Sequence, residues 1–180
     1  MKKLVTANDL TFETFITKEK IAERVQTLGQ QISHKHAANK PLFIGVMNGA
    51  FIFIADLIRH FEYDCEIAFV RLSSYKGTQS SGKIETVYGL EMEIENRHII
   101  VVEDIVDSGR TLHYFLDYLK KQKPASVELA SLLLKPDALQ FPVKLDYLGF
   151  EIPEKFVIGY GLDYDGLGRN LEDIYQLKKN

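Results

Sequence analysis

Cysteine is almost absent from this chain of 180 residues, in which Cys65 is the only one. A single cysteine cannot form an internal disulfide or a cysteine metal cluster, and this scarcity is typical of reducing compartments. The sequence also lacks an apolar run near the roughly 20 residues that a membrane-spanning helix needs. Its N-terminus has two lysines without a long apolar segment behind them, which is not typical of a signal peptide. These absences predict a cytoplasmic protein with no membrane partner.

An excess of positive charge is absent as well, because 22 lysines and arginines face 25 acidic residues and the net charge is -3. Proteins that bind nucleic acids usually carry a basic face, so the composition predicts no nucleic-acid partner. Small anionic substrates remain compatible with this charge, since local sites hold them. No repeat, low-complexity tract or linker divides the sequence. We therefore expect a single domain over residues 1–180, large enough to bury a proper core.

Short apolar runs and segments with helical spacing alternate along the chain. Behind Thr17, a candidate helix cap, four apolar residues recur with the spacing of one helix face. A turn at 48–50 precedes an apolar helix that we expect to end near His60, and an apolar stripe from Leu112 predicts another helix that ends before Pro124. The predicted strands are 41–46, 65–72, 98–104, 125–135, 145–152 and 156–163. This order predicts an α/β domain with a largely parallel sheet.

Polar segments separate these elements. Residues 73–83 lack periodicity and are dense in Ser, Gly and Lys, so we interpret them as a loop or flap, and residues 84–94 alternate like one arm of a β-hairpin. The segments that follow predicted strands or their ends are VMNGA (46–50), RLSSY (71–75), VEDIVDSGRT (102–111), LLLKP (132–136) and YGLDYDG (160–166). Ligands of such sheets bind outside the carboxyl ends of the strands. The sequence therefore predicts that these polar residues converge on one rim.

The turn from Asp107 to Thr111 lies between a predicted strand and a predicted helix. Backbone N–H groups and the helix N-terminus at such a turn can face one anion. Gly109 permits a close approach of the backbone, and Ser108 and Thr111 add hydroxyl donors. The turn is neither a Walker loop nor the glycine-rich dinucleotide fingerprint. A phosphomonoester fits this pattern.

Two further acids, Glu103 and Asp104, end the strand before this turn. Carboxylates are poor phosphate ligands but suit a vicinal diol or a hydrated Mg²⁺. A sugar phosphate satisfies both parts of the pattern, and carboxylates would also stabilise a sugar carbon that becomes cationic. Acids after a strand are equally typical of a response-regulator-like or hydrolase strand, and Asp107 alone could simply cap the helix.

As one string, residues 99–111 have four apolar residues, Glu-Asp, two apolar residues and Asp-Ser-Gly-Arg-Thr. This string resembles the phosphoribosyl-diphosphate signature of the type I phosphoribosyltransferases. From about Pro41 to Tyr175 the chain is similar to the hypoxanthine (hypoxanthine-guanine) members of that family, above all in PEKFVIGYGLDYDGLGRNL (153–171). The resemblance implies an α/β fold with a mostly parallel central sheet flanked by helices. It also implies a small hood with C-terminal elements at about 151–180, and a flexible β-hairpin flap at about 73–88.

The activity that the resemblance implies is transfer of a 5-phosphoribosyl group from phosphoribosyl diphosphate to hypoxanthine, and also to guanine. Pyrophosphate is released, Mg²⁺ assists the reaction, and the enzyme would be a homodimer or homotetramer. Asp107 would accept the purine proton, and Lys135 would contact the purine 6-oxo group. Phe156 would stack on the base, and Val157 would offer backbone groups to its edge.

The resemblance also sorts the site residues by ligand. The phosphoribosyl group is assigned to Glu103, Asp104, Asp107, Ser108, Gly109, Arg110 and Thr111. Pyrophosphate is assigned to Asn48, Gly49, Ser74, Tyr75 and Arg169. The purine is assigned to Lys135, Phe156, Val157 and Asp163, and Mg²⁺ to Glu103, Asp104 and Asp163.

Asn48 departs from the family pattern, which often has Leu-Lys-Gly here with a cis peptide bond before the lysine. One positive charge is therefore missing, and the sequence leaves open whether the Met47–Asn48 bond is cis. Taken singly, Lys135 and Arg169 also suit surface positions, and Phe156 suits a core. Two alternative functions stay open: a regulator of this fold that senses nucleotides, and an enzyme that prefers xanthine or guanine.

Overall fold

The computed structural model describes residues 3–74, 84–90 and 92–178. The elements are β1 (Leu4–Ala7), β2 (Leu10–Ile16), α1 (Lys18–His36), β3 (Leu42–Met47), α2 (Phe51–Arg59), β4 (Glu66–Ser74), β5 (Ile84–Tyr88), β6 (His98–Val106), α3 (Arg110–Lys120), β7 (Ser126–Leu134), β8 (Tyr147–Glu151), β9 (Val157–Ile158) and β10 (Ile174–Leu177), with a 3₁₀ turn at Pro136–Ala138. Within these ranges no helix is long and apolar enough to cross a membrane.

Six strands form the central sheet in the order β5-β4-β3-β6-β7-β8. All neighbouring pairs from β4 to β8 are parallel, and only β5 runs antiparallel, against β4. Its middle strands are apolar throughout because both faces are covered: residues 42–44 of β3 and 99–102 of β6 are fully buried. The α/β fold with a largely parallel sheet that the sequence predicted is therefore confirmed.

Helices cover the two faces of this sheet. The apolar stripe of α1, made of Ile21, Val25, Leu28 and Ile32, packs with α2 on one face, and the stripe of α3 packs on the other. Thr17 occupies the N-cap position of α1, although its side chain makes no capping hydrogen bond. The three predicted helices are confirmed.

A second sheet of four antiparallel strands lies in the order β1-β2-β10-β9. It joins the first residues of the chain to the last, since Thr14 of β2 pairs with Tyr175 of β10. Sequence analysis placed the hood in C-terminal elements and did not predict β1 or β2. The predicted strand over 156–163 was wrong beyond Ile158, because glycines 159 and 161, both at φ +101, turn the chain there.

The predicted flap falls partly within the described residues. Ser73 and Ser74 of β4 pair antiparallel with Thr86 and Ile84 of β5, which agrees with the predicted hairpin arm. The strand ends at Tyr88, before the predicted limit of 94. Residues 75–83, including the predicted pyrophosphate contact Tyr75, lie outside the described residues.

Candidate functional site

The parallel strands β3, β6 and β7 end at one rim, and predicted site residues follow each of them there. The Nζ atom of Lys135, just after β7, lies 2.8 Å from Oδ2 of Asp107, just after β6. The Lys135 backbone N–H also donates to the carbonyl of Val106 at 2.9 Å. The Lys135 side chain is 14% exposed and that of Asp107 is 56% exposed. The structure thus holds a nearly buried cation against a carboxylate that opens to solvent.

The phosphate loop, which we define as residues 107–111, joins β6 to α3. Gly109 is the N-cap residue of α3 and adopts a left-handed conformation at φ 74, which glycine tolerates best. A cavity of about 140 Å³ lies here, lined by Glu103 and residues 105–112. With the first turn of α3 beneath it, the loop has the backbone arrangement of an anion site. The turn between strand and helix lies where the sequence predicted it, and the phosphate contacts stay a prediction.

Glu103 and Asp104 lie near the C-terminal end of β6, beside this loop, and are only partly exposed. Burial raises the pKa of Asp104 to about 6, although the backbone N–H of Ile105, at 2.9 Å from Oδ1, opposes the shift. Burial and the charge of Asp104 raise the pKa of Glu103 well above its ordinary value. The Oε2 atom of Glu103 is buried with no hydrogen-bond partner among the described residues. Burial therefore outweighs the donor beside Asp104, and Oε2 of Glu103 has no donor to stabilise its charge.

Gly49 lies directly against Asp104. A Cβ atom at position 49 would be 1.6 Å from Oδ2 of Asp104, and one at Gly161 would be 2.1 Å from the carbonyl oxygen of Gly49. Asn48 is exposed, and the Met47–Asn48 peptide bond, left open by the sequence, is cis. Sequence analysis missed Gly161, because its only signal is a close backbone approach that local patterns do not show.

Arg169 binds two residues of the C-terminal segment close to the contact between Gly49 and Asp104. Its Nη1 donates to the carbonyl of Gly161 at 2.6 Å, and its Nη2 lies 2.6 Å from Oδ1 of Asp163. Arg169 lowers the pKa of Asp104 and Asp163 raises it, so both charges act on that carboxylate. The structure thus brings Gly49, Asp104, Asp163 and Arg169 together.

The carboxylates near Asp104 suit Mg²⁺ only if substrate and water supply its remaining ligands. In the described part of the chain, no three His, Cys, Asp or Glu side chains are arranged to hold a metal ion. The Asp163 carboxylate is already bound by Arg169 and by the backbone N–H of Gly166, at 2.7 Å. Glu103 keeps an unpartnered oxygen. These carboxylates fit a hydrated Mg²⁺ that takes further ligands from substrate and water.

Two of the residues predicted to contact the base, Phe156 and Val157, lie at the edge of the hood. Phe156 is 43% exposed, and its ring packs against Phe12 and Tyr164 at centroid distances of 5.9 and 5.6 Å. Val157 is buried in β9, where it pairs with Gln176 of β10. Phe156 therefore presents an aromatic surface to solvent while its neighbour anchors the hood.

Residues 14–165 match the family model for the phosphoribosyl transferase domain. This chain belongs to the phosphoribosyl transferase domain family. A curated member, the hypoxanthine-guanine phosphoribosyltransferase of Bacillus subtilis (strain 168), is 40% identical over 167 residues, which cover 92% of this chain and 93% of that protein. The same enzyme of Aquifex aeolicus is 38% identical over 91% of this chain and 93% of its own length.

Solved structures of phosphoribosyltransferases share the fold. A hypoxanthine-guanine phosphoribosyltransferase from Bacillus anthracis matches with a TM-score of 0.84 and 37% identity, over 92% of this chain and 98% of that chain. A hypoxanthine phosphoribosyltransferase from Staphylococcus aureus matches with a TM-score of 0.86 and 35% identity, over 95% and 93%. The type I phosphoribosyltransferase fold predicted from the sequence is therefore confirmed.

In this phosphoribosyltransferase, Asp104→Asn is expected to raise the free energy of unfolding by roughly 1–3 kcal/mol at about pH 7.5. A carboxyl whose pKa is raised in the folded state stabilises the fold below its unfolded pKa, and this contribution is lost as the pH rises through about 6. Asparagine carries no charge to desolvate, so the difference in unfolding free energy between the variant and the wild type should be smaller at about pH 5. Urea unfolding at both pH values measures this difference.

Asp64→Asn is the matched control, since Asp64 is exposed and the same charge is removed. It should change the unfolding free energy by less than about 0.5 kcal/mol. An Asp104→Asn protein that is no more stable than the wild type at the higher pH would contradict the prediction.

Proposed function

We propose that this protein is a purine-salvage enzyme that transfers the 5-phosphoribosyl group of phosphoribosyl diphosphate to hypoxanthine, and also to guanine, with release of pyrophosphate. The observation that carries the proposal is the rim itself, where the phosphate loop, the two acids and the Lys135–Asp107 pair meet at the ends of β6 and β7. The relatives from Bacillus subtilis and Aquifex aeolicus, which carry the hypoxanthine-guanine phosphoribosyltransferase name, support this substrate class.

The phosphate loop holds the 5′-phosphate of the substrate. The backbone N–H groups from Ser108 to Thr111 and the N-terminus of α3 supply donors, and Gly109 leaves the anion room to approach. Glu103 and Asp104 accept hydrogen bonds from the ribose hydroxyls. Such donors offset the desolvation that raises the pKa of both acids, and substrate binding supplies a donor for the unpartnered Oε2 of Glu103.

Asp107 and Lys135 act on the purine. Asp107 accepts the proton of N9 as the bond from ribose C1 to N9 forms, and the bond from C1 to the pyrophosphate oxygen breaks with its electron pair. Lys135 donates to the 6-oxo group, which hypoxanthine and guanine share and adenine lacks. Phe156 stacks on the base, and the backbone of Val157 meets its edge.

Pyrophosphate leaves across the corner formed by Asn48, Gly49 and Arg169. The resemblance also assigns Ser74 and Tyr75 to pyrophosphate. Mg²⁺, when bound beside Glu103, Asp104 and Asp163, would neutralise the leaving pyrophosphate. Arg169 meets the anion from its position beside Gly161. Asn48 offers backbone and amide donors without the charge of a lysine.

Incubation with phosphoribosyl diphosphate, Mg²⁺ and each purine base separately tests the proposal. IMP from hypoxanthine and GMP from guanine are the expected products. Xanthosine monophosphate as the main product would show that the enzyme prefers xanthine. Binding of phosphoribosyl diphosphate without nucleotide from any purine would refute the enzyme assignment and favour a nucleotide-sensing regulator.

Lys135→Ala is expected to raise the KM for hypoxanthine and for guanine by about 10- to 100-fold, because a charge-assisted hydrogen bond to the base is lost. The Kd for phosphoribosyl diphosphate should change less. Steady-state kinetics with both bases measures the effect, and Lys121→Ala, at an exposed lysine after α3, is the control. Unchanged kinetics with both bases would remove Lys135 from the purine site.

We also infer that the chain forms a homodimer or homotetramer through exposed apolar side chains of α2 and β4, namely Phe51, Ile67 and Phe69, which are 39%, 42% and 45% exposed. Ile54 of α2 and Phe69 of β4 would both lie 3.0 Å from a Cβ atom at Gly45, so α2 and this side of β4 cover the same face of β3. A second copy of the chain would bury these side chains. A monomer at micromolar concentration, measured by light scattering, would contradict this inference.

The cytoplasmic location, the single domain and the absence of a nucleic-acid partner remain predictions from the sequence.

A further inference from the structure

A short segment packs against the phosphate loop. We call residues 139–142 the strap. The carbonyl oxygen of Ser108 accepts hydrogen bonds from the backbone N–H groups of Gln140, at 3.0 Å, and Phe141, at 3.1 Å. A Cβ atom at Gly109 would lie 2.8 Å from both Leu139 Cδ1 and the Phe141 carbonyl oxygen. The strap is therefore in direct contact with the turn that begins α3.

The side chain of Phe141 also contacts α3. The Cζ atom of Arg110 lies over its ring at 5.8 Å from the centroid, and the rings of His113 and Tyr114 lie at 5.8 and 5.9 Å. These three residues occupy positions i, i+3 and i+4 of the helix, so one face of α3 surrounds the Phe141 ring. His113 fixes the far end of the strap through a hydrogen bond from Nδ1 to the carbonyl of Pro142, at 3.0 Å.

Arg110 is the cation of the phosphate loop, and its guanidinium lies over the Phe141 ring. The residue is exposed, and its side chain forms no ion pair with a carboxylate in the ranges that the structure describes. Guanidinium groups bind the faces of aromatic rings and remain able to donate in their own plane. The ring therefore restricts the guanidinium while leaving its donors available for a phosphate.

We propose that Phe141 is a positioning residue for phosphate recognition: its ring holds the Arg110 guanidinium for a phosphate monoester, and the strap holds the phosphate loop in its anion-binding shape. The ligand class, a phosphorylated sugar, rests on the proposed function. Phe141 itself touches no reacting atom. Its contribution should therefore appear in the binding of the phosphate and not in the rate of the chemical step.

Calorimetric titration with ribose 5-phosphate, which has the phosphate but no leaving group, tests the inference directly. Phe141→Leu should raise the Kd about 3- to 10-fold because the aromatic face is lost, whereas Phe141→Tyr, which keeps that face, should stay within about twofold of the wild type. Phe141→Met replaces the leucine variant if that variant does not fold. Tyr118→Leu, which removes an exposed aromatic side chain elsewhere on α3, should not change the Kd.

The coupling between the two residues is the decisive measurement. In an Arg110→Ala background, Phe141→Leu should add less than about a twofold loss, since the ring acts through the guanidinium. In steady-state kinetics, Phe141→Leu should raise the KM for phosphoribosyl diphosphate and leave kcat within about twofold. An unchanged Kd, an equal loss in both backgrounds, or a lowered kcat with unchanged KM would overturn the inference.

These outcomes separate the inference from the proposed function. If the wild type binds ribose 5-phosphate with the expected pattern but makes no nucleotide, the proposed reaction is wrong and the role of Phe141 stands. If nucleotide forms and Phe141→Leu has no effect on binding, the proposed reaction stands and the role of Phe141 is wrong. A wild type that does not bind ribose 5-phosphate overturns the role of Phe141.

Discussion

Replacement of Asp107 by asparagine is expected to lower kcat by about 10²- to 10⁴-fold and to leave the Kd for phosphoribosyl diphosphate within about threefold. Asparagine has nearly the shape of aspartate but cannot accept the N9 proton. In the proposed function, the phosphate is bound by backbone N–H groups and side chains beyond position 107, so the sugar phosphate should still bind. Saturating steady-state kinetics with hypoxanthine, together with calorimetric titration, separates the two quantities.

The neighbourhood of Asp107 provides the control for this experiment. Asp137 is an exposed carboxylate in the 3₁₀ turn that directly follows Lys135, so Asp137→Asn removes the same charge near the same lysine. It should leave kcat within about twofold. Near-normal turnover by Asp107→Asn would refute proton acceptance by Asp107. A rise in the purine KM alone would instead assign Asp107 to the positioning of Lys135, which lies 2.8 Å away.

Gly49→Ala is expected to lower kcat/KM for phosphoribosyl diphosphate by about 10²-fold or more, because a displacement near 1 Å is enough to misalign a reacting site. The added methyl would lie 1.6 Å from the Asp104 carboxylate, so that carboxylate must move away from the ribose hydroxyls. The backbone of Gly49 also touches Gly161, which restricts any movement of the loop itself. Kinetics normalised to the folded fraction measure the loss.

Gly29→Ala separates a site effect from a folding effect. Gly29 is buried in α1, and a Cβ atom there would be 2.4 Å from Cβ of His60, so the substitution creates a comparable clash away from the rim. It should reduce stability but keep kcat/KM of the folded protein within about threefold. Equal losses of kcat/KM in the two variants would show that Gly49 matters for folding only.

The central sheet could be predicted because its signals are local. Residues 98–104 form a continuous apolar run, and the stripe that begins at Leu112 has helical spacing, so strand, turn and helix follow from adjacent residues. The hood could not be predicted in the same way. Strand β2 reads LTFETFI and pairs with β10 at the other end of the chain, and a pairing between such distant segments leaves no local pattern.

By itself, the sequence determined the α/β architecture and the turn between β6 and α3 with the acids beside it, because residue type and spacing fix those features within one segment. Only the tertiary structure decided which segments meet. It brought Lys135 to Asp107 across 28 residues, packed Gly49 on Asp104, and placed Phe141 under Arg110. It also shifted the pKa of the acids, since burial raises the pKa of Asp104 to about 6. Distances and solvent exclusion depend on the packing of separate segments, and no local pattern of residues carries them.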